Sequence, residues 1–298
     1  MQLATRKKLA KPFIFLAALI WGSSFFIVKN TLDVFPPALI IALRFSIGLA
    51  TLALLFFRRL PQLTRAYLIP GAVLGGILFG AYYLQTAGMT DTSPGKNAFL
   101  TAIYCVLVPF LAWLFGKSRP DKFNGIAAVL CLAGIGLISL TDNFSISWGD
   151  GITLGSGLLL ALHIFFTAQF AREKDPVLLT IVQFCVTALL SWAVSLASED
   201  LPGVWPADSL LSVAYLGIFA TGLGLFFQVA GQKYADPSSA AILMSLESVF
   251  GVAFSVLFYG EQLSGRVILG FALVFFSVLL SETKLSFFKR RSAHELSQ

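Results

Sequence analysis

Apolar residues fill ten long stretches of this chain, and short polar or charged segments separate one stretch from the next. A helix that crosses the hydrocarbon core of a bilayer, about 30 Å thick, needs about 20 apolar residues. The pattern therefore predicts an all-α integral membrane protein with ten transmembrane helices. Their predicted positions are 12–29, 36–57, 66–88, 94–115, 123–141, 151–171, 177–197, 208–230, 237–259 and 266–282.

The chain contains an internal repeat, with one copy in each half. Residues 85–116 recur, weakly but without a gap, at 228–259, and Gln85 and Pro94 match Gln228 and Pro237. If each half contains five spans, an odd number, the second half must cross the bilayer in the opposite direction to the first. The repeat therefore predicts two inverted five-helix repeats, a plan found in many secondary transporters.

Each of the two matched prolines follows a residue whose side chain can cap a helix. Ser93 precedes Pro94, and Asp236 precedes Pro237. A cap side chain accepts hydrogen bonds from the first free amides, and proline at the first helical position lacks an N–H that would have no partner there. The fourth and ninth helices are therefore expected to begin at these prolines.

Basic residues cluster in alternate connections between the spans. They precede the first span and follow the second, fourth, sixth, eighth and tenth, whereas the intervening loops carry mainly Asp and Glu. Because Lys and Arg are enriched in short cytoplasmic loops, we expect both termini in the cytoplasm and the protein in a bacterial inner (plasma) membrane. The predicted organisation is a cytoplasmic N-terminal segment at 1–11, a first repeat at 12–141, a connecting loop at 142–150, a second repeat at 151–282 and a basic cytoplasmic tail at 283–298.

Composition agrees with a membrane location, since 57% hydrophobic and 12% charged residues leave too little polar surface for a soluble globule. The net charge of +6 follows from the basic loops, and nucleic-acid binding would need a folded basic face that this chain lacks. The three cysteines fall inside apolar spans and predict no disulfide or metal framework. No phosphate-loop motif is present, so we expect neither ATP coupling nor any other cofactor.

Five segments carry a family resemblance. They are Phe15–Phe26 (FLAALIWGSSFF), Ala42–Phe45 (ALRF), Gln85–Leu100 (QTAGMTDTSPGKNAFL), Gly149–Ala161 (GDGITLGSGLLLA), and Glu247 with the later Gly260–Leu263 (GEQL). In this order and spacing, residues 12–282 resemble the EamA-like family of the drug/metabolite transporter superfamily. One position departs from the family, because the first half has Lys117 and Ser118 where the second has Gly260 and Glu261.

The resemblance implies a basket-like bundle of two inverted five-helix repeats. It also implies a central cavity built mainly from the first, third, fourth, sixth, eighth and ninth helices. The substrates that it implies are small metabolites, amino acids and related compounds, which such proteins often export.

Arg44 and Glu247 are the charged residues that lie well inside an apolar span. A charge at such a depth costs about 2.5–3.5 kcal/mol on insertion scales, so it is expected to face a cavity or a partner. Glu247 is either a cavity acid that takes up a proton or a cationic substrate, or a structural acid that is protonated or paired. Arg44 lies at a similar depth and is a candidate ion-pair partner of Glu247; its alternative role is to bind backbone carbonyls between helices.

Polar and aromatic side chains within the spans form the predicted cavity lining. Aromatic faces and amides together can recognise a polar organic molecule. Within the repeat, Tyr104 matches Glu247, and His163 matches Trp21 if the first and sixth helices open the two repeats. The predicted substrate-binding residues are Trp21, Tyr82, Tyr83, Gln85, Asn97, Tyr104, His163, Gln228 and Glu247.

Some of these residues have an alternative role. His163 is the second candidate for proton coupling after Glu247, because histidine titrates near neutral pH, but it can equally be held by a neighbouring hydroxyl or carbonyl. Tyr82 and Tyr83 can instead serve as anchors at the membrane interface.

The sequence thus predicts a secondary transporter that moves a small polar or amphipathic metabolite by alternating access, with protons as a candidate coupling ion. The expected partners are that metabolite and the lipid bilayer. The sequence leaves open whether the protein forms a homodimer. The alternative is a channel or a non-transporting membrane scaffold. An intramembrane enzyme is less favoured, because the spans offer no metal cluster, acid pair or activated nucleophile.

Overall fold

The computed structural model describes residues 3–115, 119–140, 146–170, 174–232 and 237–283. The α-helices in these ranges are α1 (Leu3–Thr31), α2 (Pro37–Leu55), α3 (Leu68–Gly88), α4 (Pro94–Thr101), α5 (Tyr104–Leu114), α6 (Lys122–Ser139), α7 (Trp148–Phe170), α8 (Pro176–Ser198), α9 (Ala207–Tyr215), α10 (Gly224–Gln232), α11 (Pro237–Phe254) and α12 (Gly265–Thr283). Over the described ranges no strand occurs, and one isolated β-bridge joins Leu140 to Ile146. The all-α prediction is confirmed for this part of the chain.

Many of these helices are long and apolar enough to cross a bilayer. In the described residues eight segments meet that requirement: Leu9–Thr31, Pro37–Leu55, Arg65–Gly88, Pro94–Leu114, Lys122–Ser139, Trp148–Thr167, Pro176–Ser198 and Ala207–Gln228. Two shorter apolar helices follow, at Leu243–Tyr259 and Gly265–Ser281. Large apolar side chains on the outside, such as Leu54, Ile69 and Leu132, are 76%, 77% and 69% exposed. An apolar exterior of this kind marks a surface that contacts lipid, so the protein is an integral membrane protein.

Polar caps explain where several helices begin. Ser93 accepts a hydrogen bond from the amide of Lys96 and stands before Pro94, as the sequence predicted for the fourth span. Asp175 caps α8 in the same way, through the amide of Val177 at 2.8 Å. The predicted cap of the ninth span, Asp236, lies outside the described residues.

The ends of the helices differ from the predicted spans by a few residues. Helix α7 begins at Trp148, within the predicted connecting loop, because the Ser147 hydroxyl accepts a hydrogen bond from the amide of Asp150 at 3.1 Å. Helix α1 already begins at Leu3, so most of the predicted N-terminal segment 1–11 is helical.

Irregular backbone interrupts three of the predicted spans. The fourth is divided into α4 and α5 at residues 102–103, and a π-helical segment, Leu216–Leu223, joins α9 to α10. A second π-helical segment, Ser255–Tyr259, continues α11. Interrupted helices are common at the substrate sites of transporters, and π-helical turns are common at functional sites.

Small residues let the helices approach closely. At Gly134 on α6, an added Cβ atom would lie 2.9 Å from the carbonyl oxygen of Gly270 on α12, and the reverse approach is equally close. Helix α2 packs along α8, α3 packs along α7 and α8, and α1 packs along α10 and α11. Such contacts between small residues hold helices together in lipid, where the hydrophobic effect does not drive their association.

Side-chain contacts show which connections share an end of the bundle. The α3–α4 connection meets the connection between the second π-helical segment and α12 through Ser93 and Glu261. The α8–α9 connection meets the start of α2 through Glu199. We call this the Glu261 end. At the opposite end, Arg59 forms an ion pair of 2.8 Å with Asp175.

Candidate functional site

A cavity of about 100 Å³ lies between six helices near the middle of the bundle. Its walls come from α1, α3, α5, α7, α10 and α11, which fall within the six spans that the family resemblance implies. One water needs roughly 10–15 Å³ on this measure, so the cavity can hold a small solute. Its lining combines aromatic rings, amides, a thioether and one carboxylate.

The cavity brings together most of the side chains that the sequence predicted for it. Those that line it are Trp21, Tyr82, Gln85, Tyr104, His163, Gln228 and Glu247. Tyr83 and Asn97 do not line it. The interfacial-anchor alternative does not describe Tyr82, because its ring lies at the cavity.

The two exceptions have a geometric reason. Tyr82 and Tyr83 are neighbours on α3, where successive side chains point about 100° apart, and the Tyr83 ring stacks on Phe79 instead, with centroids 5.7 Å apart. Asn97 is fully buried, and its amide nitrogen donates to the carbonyl oxygen of Gln85 and to the Thr153 hydroxyl, both at 3.0 Å. Asn97 therefore ties α4 to α3 and α7.

Glu247 is the carboxylate of the cavity. Its side chain is partly buried, and the Tyr104 hydroxyl forms a hydrogen bond with it. In the described part of the chain, Glu247 forms no ion pair. A carboxylate at membrane depth needs compensation for its charge, and a proton or the cationic group of a bound solute can provide it.

Arg44 is buried beside the cavity, and its guanidinium binds Thr221 and not Glu247. Its Nε donates to the Thr221 hydroxyl at 3.0 Å, and its guanidinium lies 4.8 Å from the centre of the Tyr82 ring. The ion pair with Glu247 that the sequence suggested is not formed. The physical reason is that Arg44 reaches into the first π-helical segment, where Thr221 holds it between helices.

Two ring nitrogens of the cavity wall are engaged by the protein. His163 Nε2 lies 2.7 Å from the side-chain oxygen of Gln183, which accepts a hydrogen bond from the imidazole in that arrangement. Trp21 Nε1 donates to the carbonyl oxygen of Ala220 at 2.7 Å. Since Ala220 belongs to the π-helical segment, the indole compensates for irregular backbone in the membrane.

Matched positions of the internal repeat make matched contacts at the cavity. Gln85 Nε2 donates to Thr101 Oγ1 at 3.2 Å, and Gln228 Nε2 approaches Met244 Sδ at 3.8 Å. Gln228 and Met244 follow Gln85 and Thr101 at the same offset at which Glu247 follows Tyr104. Two of these matched residues, Tyr104 and Glu247, contact each other.

Several lining residues were not predicted from the sequence. They are Ser24, Phe25, Leu78, Leu160, Ile164, Leu225 and Met244. Most are apolar and cannot be told from lipid-facing residues by type alone. The repeat could have identified Leu225, because it matches Tyr82 in the first half.

A polar cluster at the Glu261 end was also missed, although the sequence named Glu261 as part of a family motif. The Glu261 carboxylate accepts hydrogen bonds from the Ser93 and Ser255 hydroxyls and from the amide of Gly95, the last at 2.9 Å. Beside it, Lys96 and Asp150 form an ion pair of 2.9 Å. Over the described residues, no group of acids, histidines and cysteines has the geometry of a metal site.

Comparison with known proteins identifies the family. The chain matches the EamA-like transporter family at residues 9–140 and again at 147–283. An uncharacterized transporter of Archaeoglobus fulgidus is 32% identical over 267 residues, which cover 89% of this chain and 83% of the relative. The uncharacterized inner membrane transporter YedA of Escherichia coli (strain K12) is 25% identical over 274 residues, 90% of this chain and 88% of YedA.

One solved crystal structure has the same fold. It superposes with a TM-score of 0.66 at 22% sequence identity, and the match covers 91% of this chain and 96% of that protein.

Proposed function

Because the chain belongs to the EamA-like transporter family, we propose that it is a secondary transporter of a small polar or amphipathic metabolite, such as an amino acid or a related compound. The observation that supports this most is the cavity, which six helices surround and which contains Glu247 among aromatic and amide side chains. A concave site with a few convergent polar groups is the usual form of a small-molecule site.

The proposed architecture is ten transmembrane helices arranged as two inverted five-helix repeats. Eight long apolar segments and two shorter apolar helices are compatible with that number. The matched contacts of Gln85 and Gln228 support the repeat, as does the contact between Tyr104 and Glu247, because a two-fold axis brings equivalent residues together where it passes between them.

The proposed orientation places the Glu261 end outside the cytoplasm and both termini inside. The opposite end carries Arg58, Arg59 and Arg65 in the α2–α3 connection, and basic connections face the cytoplasm. YedA is named as an inner membrane transporter, which supports the bacterial inner membrane as the location.

The proposed mechanism is alternating access, in which the cavity opens to one side and then to the other. Glu247 is the proposed proton-binding group, because it faces the cavity and forms no ion pair in the described part of the chain. His163 is the second candidate, although its bond to Gln183 holds one ring nitrogen. Whether the protein forms a homodimer stays open.

Flux through proteoliposomes tests this function. Metabolites are first screened for those that raise the melting temperature of the purified protein, since a ligand of the folded state stabilises it by mass action. We expect uptake of such a metabolite to saturate with concentration and to show counterflow, in which unlabelled substrate inside drives labelled substrate inward. Uptake that neither saturates nor shows counterflow would indicate a channel and would contradict the proposal.

A further inference from the structure

Glu261 joins two parts of the chain that are far apart in sequence. Its carboxylate binds Ser93 and Gly95 at the start of α4, and it also binds Ser255 in the second π-helical segment. Hydrogen bonds to an ionised carboxylate are stronger than those between neutral groups. The carboxylate also lies at a helix N-terminus, where a negative charge is favourable.

The backbone before Glu261 is shaped so that the side chain can reach α4. Gly260 has a φ of 75°, which residues with a side chain rarely adopt, and it ends the π-helical segment. The amide of Glu261 then binds the carbonyl oxygen of Ser255 at 3.2 Å. Glu261 is therefore held by its main chain as well as by its carboxylate.

The two spans joined in this way carry Tyr104 and Glu247, which bond to each other at the cavity. In the interrupted fourth span, α4 runs from Pro94 and α5 begins at Tyr104, whereas α11 leads from Glu247 to the π-helical segment with Ser255. At 1.5 Å per helical residue, the bond to Gly95 lies on the order of 15 Å from Tyr104. Glu261 thus bridges α4 and the π-helical continuation of α11 at one end of these two spans.

Close packing fills the space between the cavity and the Glu261 end. Ala98 on α4 and Phe25 on α1 are 2% and 3% exposed, and a Cβ atom added at Gly251 on α11 would lie 2.6 Å from the former and 3.3 Å from the latter. Other polar contacts secure the same end: Lys29 Nζ donates to the carbonyl oxygen of Thr92 at 3.1 Å. Packed side chains and polar contacts therefore join α1, α4 and α11 between the cavity and the Glu261 end.

The two copies of the internal repeat differ in sequence at the positions of Glu261 and Ser93. Glu261 matches Ser118, so the first half has a neutral residue in place of the acid, and Ser93 matches Asp236. Residues 118 and 236 lie outside the described residues, and the comparison is one of sequence.

We infer that α4 and α11 form a gate at the Glu261 end, and that the carboxylate of Glu261 is the latch that holds this gate closed. While the carboxylate binds both α4 and the π-helical segment, the two helices stay together and the cavity is closed on that side. When these hydrogen bonds break, the helices separate and the cavity opens there. This inference rests on the proposed alternating access, but its test needs no substrate.

Labelling of a cavity cysteine measures the state of the gate directly. Cys105, Cys131 and Cys185 are replaced by alanine, Ser24 on the cavity wall is replaced by cysteine, and a membrane-impermeant maleimide is applied from one side of the membrane. In this background we compare Glu261→Gln with the unmodified latch. We expect labelling from the Glu261 side to be at least about tenfold faster in the variant, since charged hydrogen bonds are lost.

Gly95→Ala is a second variant that retains the acid. A Cβ atom at Gly95 would lie 2.7 Å from the carboxylate of Glu261, so alanine displaces the carboxylate without removing its charge. We expect the same faster labelling from the Glu261 side. This variant guards against misfolding of Glu261→Gln, and both proteins are first checked for a single peak in gel filtration.

Glu199→Gln is the matched control. Glu199 also lies at the Glu261 end and binds the amides of Ala38 and Leu39 at the start of α2, at 2.7 and 3.0 Å. Helix α2 does not line the cavity, so we expect its labelling rate to equal that of the unmodified latch. Unchanged labelling in Glu261→Gln and Gly95→Ala, or equally fast labelling in Glu199→Gln, would overturn the latch.

Counterflow in the same vesicles separates the two proposals. If Glu261→Gln and Gly95→Ala label faster but neither they nor the unmodified protein show counterflow, the transport function is contradicted and the latch is supported. Intact counterflow with unchanged labelling would overturn the latch alone.

Discussion

At the scale of single residues, Glu247 is the acidic side chain that lines the cavity. Its carboxylate forms a hydrogen bond with Tyr104. In the described part of the chain, neither Arg44 nor any lysine forms an ion pair with it. A carboxylate of this kind is well suited to exchange a proton for a solute, because either one relieves the cost of its charge in the membrane.

Replacement of Glu247 by glutamine tests this role. The amide keeps the size of the side chain but binds no proton in the working range of pH. We expect uptake driven by a pH gradient to fall by at least about tenfold, a difference that corresponds to about 1.4 kcal/mol, and the remaining uptake to be independent of pH. Glu199→Gln should keep its pH dependence, and a Glu247→Gln protein that did so as well would exclude proton coupling at this residue.

Tyr82 and Tyr83 form a natural pair for testing the cavity wall. Only Tyr82 lines the cavity, although both are tyrosines on the same helix. We expect Tyr82→Leu to weaken binding of a stabilising metabolite about tenfold, because an aromatic contact is lost, and Tyr83→Leu to change it less than twofold. Binding is measured from the shift in melting temperature with ligand concentration, and equal effects of the two variants would argue against the proposed wall.

These two tyrosines also show what the sequence could predict at this scale. Residue types that are costly or distinctive in lipid identified seven side chains of the cavity, among them Glu247 and His163. The sequence did not separate Tyr82 from Tyr83, because it does not give the rotation of α3 about its axis. It also did not predict that Arg44 would bind Thr221, which depends on the path of the π-helical backbone.

At the scale of helices, the structure combines tightly packed pairs with interrupted segments. Helices α6 and α12 approach through Gly134 and Gly270 and lie away from the cavity. The interrupted span α4–α5 instead contains the cavity residue Tyr104, and the first π-helical segment binds the cavity residue Trp21. The second π-helical segment begins at Ser255, which binds Glu261. Hydropathy predicted apolar spans at these positions but not their interruptions. Local hydrogen bonding decides where a helix breaks, and apolar residue types carry little information about the position of the break.

Two glycines on α6 test the packed pair. An added Cβ atom at Gly134 would lie 2.7 Å from Val274 Cγ2 and 2.9 Å from the backbone of Gly270, whereas at Gly125 it would meet nothing within 4 Å. We expect Gly134→Ala to destabilise the protein by about 1–3 kcal/mol through overpacking. Gly125→Ala should leave stability unchanged or raise it by up to about 1 kcal/mol through helix propensity.

The melting temperature in detergent measures both glycine variants. A Gly134→Ala protein that melts at or above the temperature of Gly125→Ala would contradict the close contact between α6 and α12.

At the scale of the whole molecule, the account depends on two halves that cross the bilayer in opposite directions. Two independent signals in the sequence predict this arrangement: the repeat at 85–116 and 228–259, and the alternation of basic connections. The contacts of matched residues at the cavity agree with it. Neither signal determines the substrate, because the shape of a cavity depends on apolar residues such as Leu225 that the pattern does not distinguish.

Labelling of one cysteine in each half tests this orientation most directly. Thr90 is exposed in the α3–α4 connection, and Tyr234 occupies the corresponding stretch of the second half. In cysteine-free protein, the account predicts that an impermeant maleimide labels Thr90→Cys only from outside the cell and Tyr234→Cys only from the cytoplasmic side. Labelling of both residues from the same side of the membrane would contradict the inverted repeat and, with it, the proposed transport mechanism.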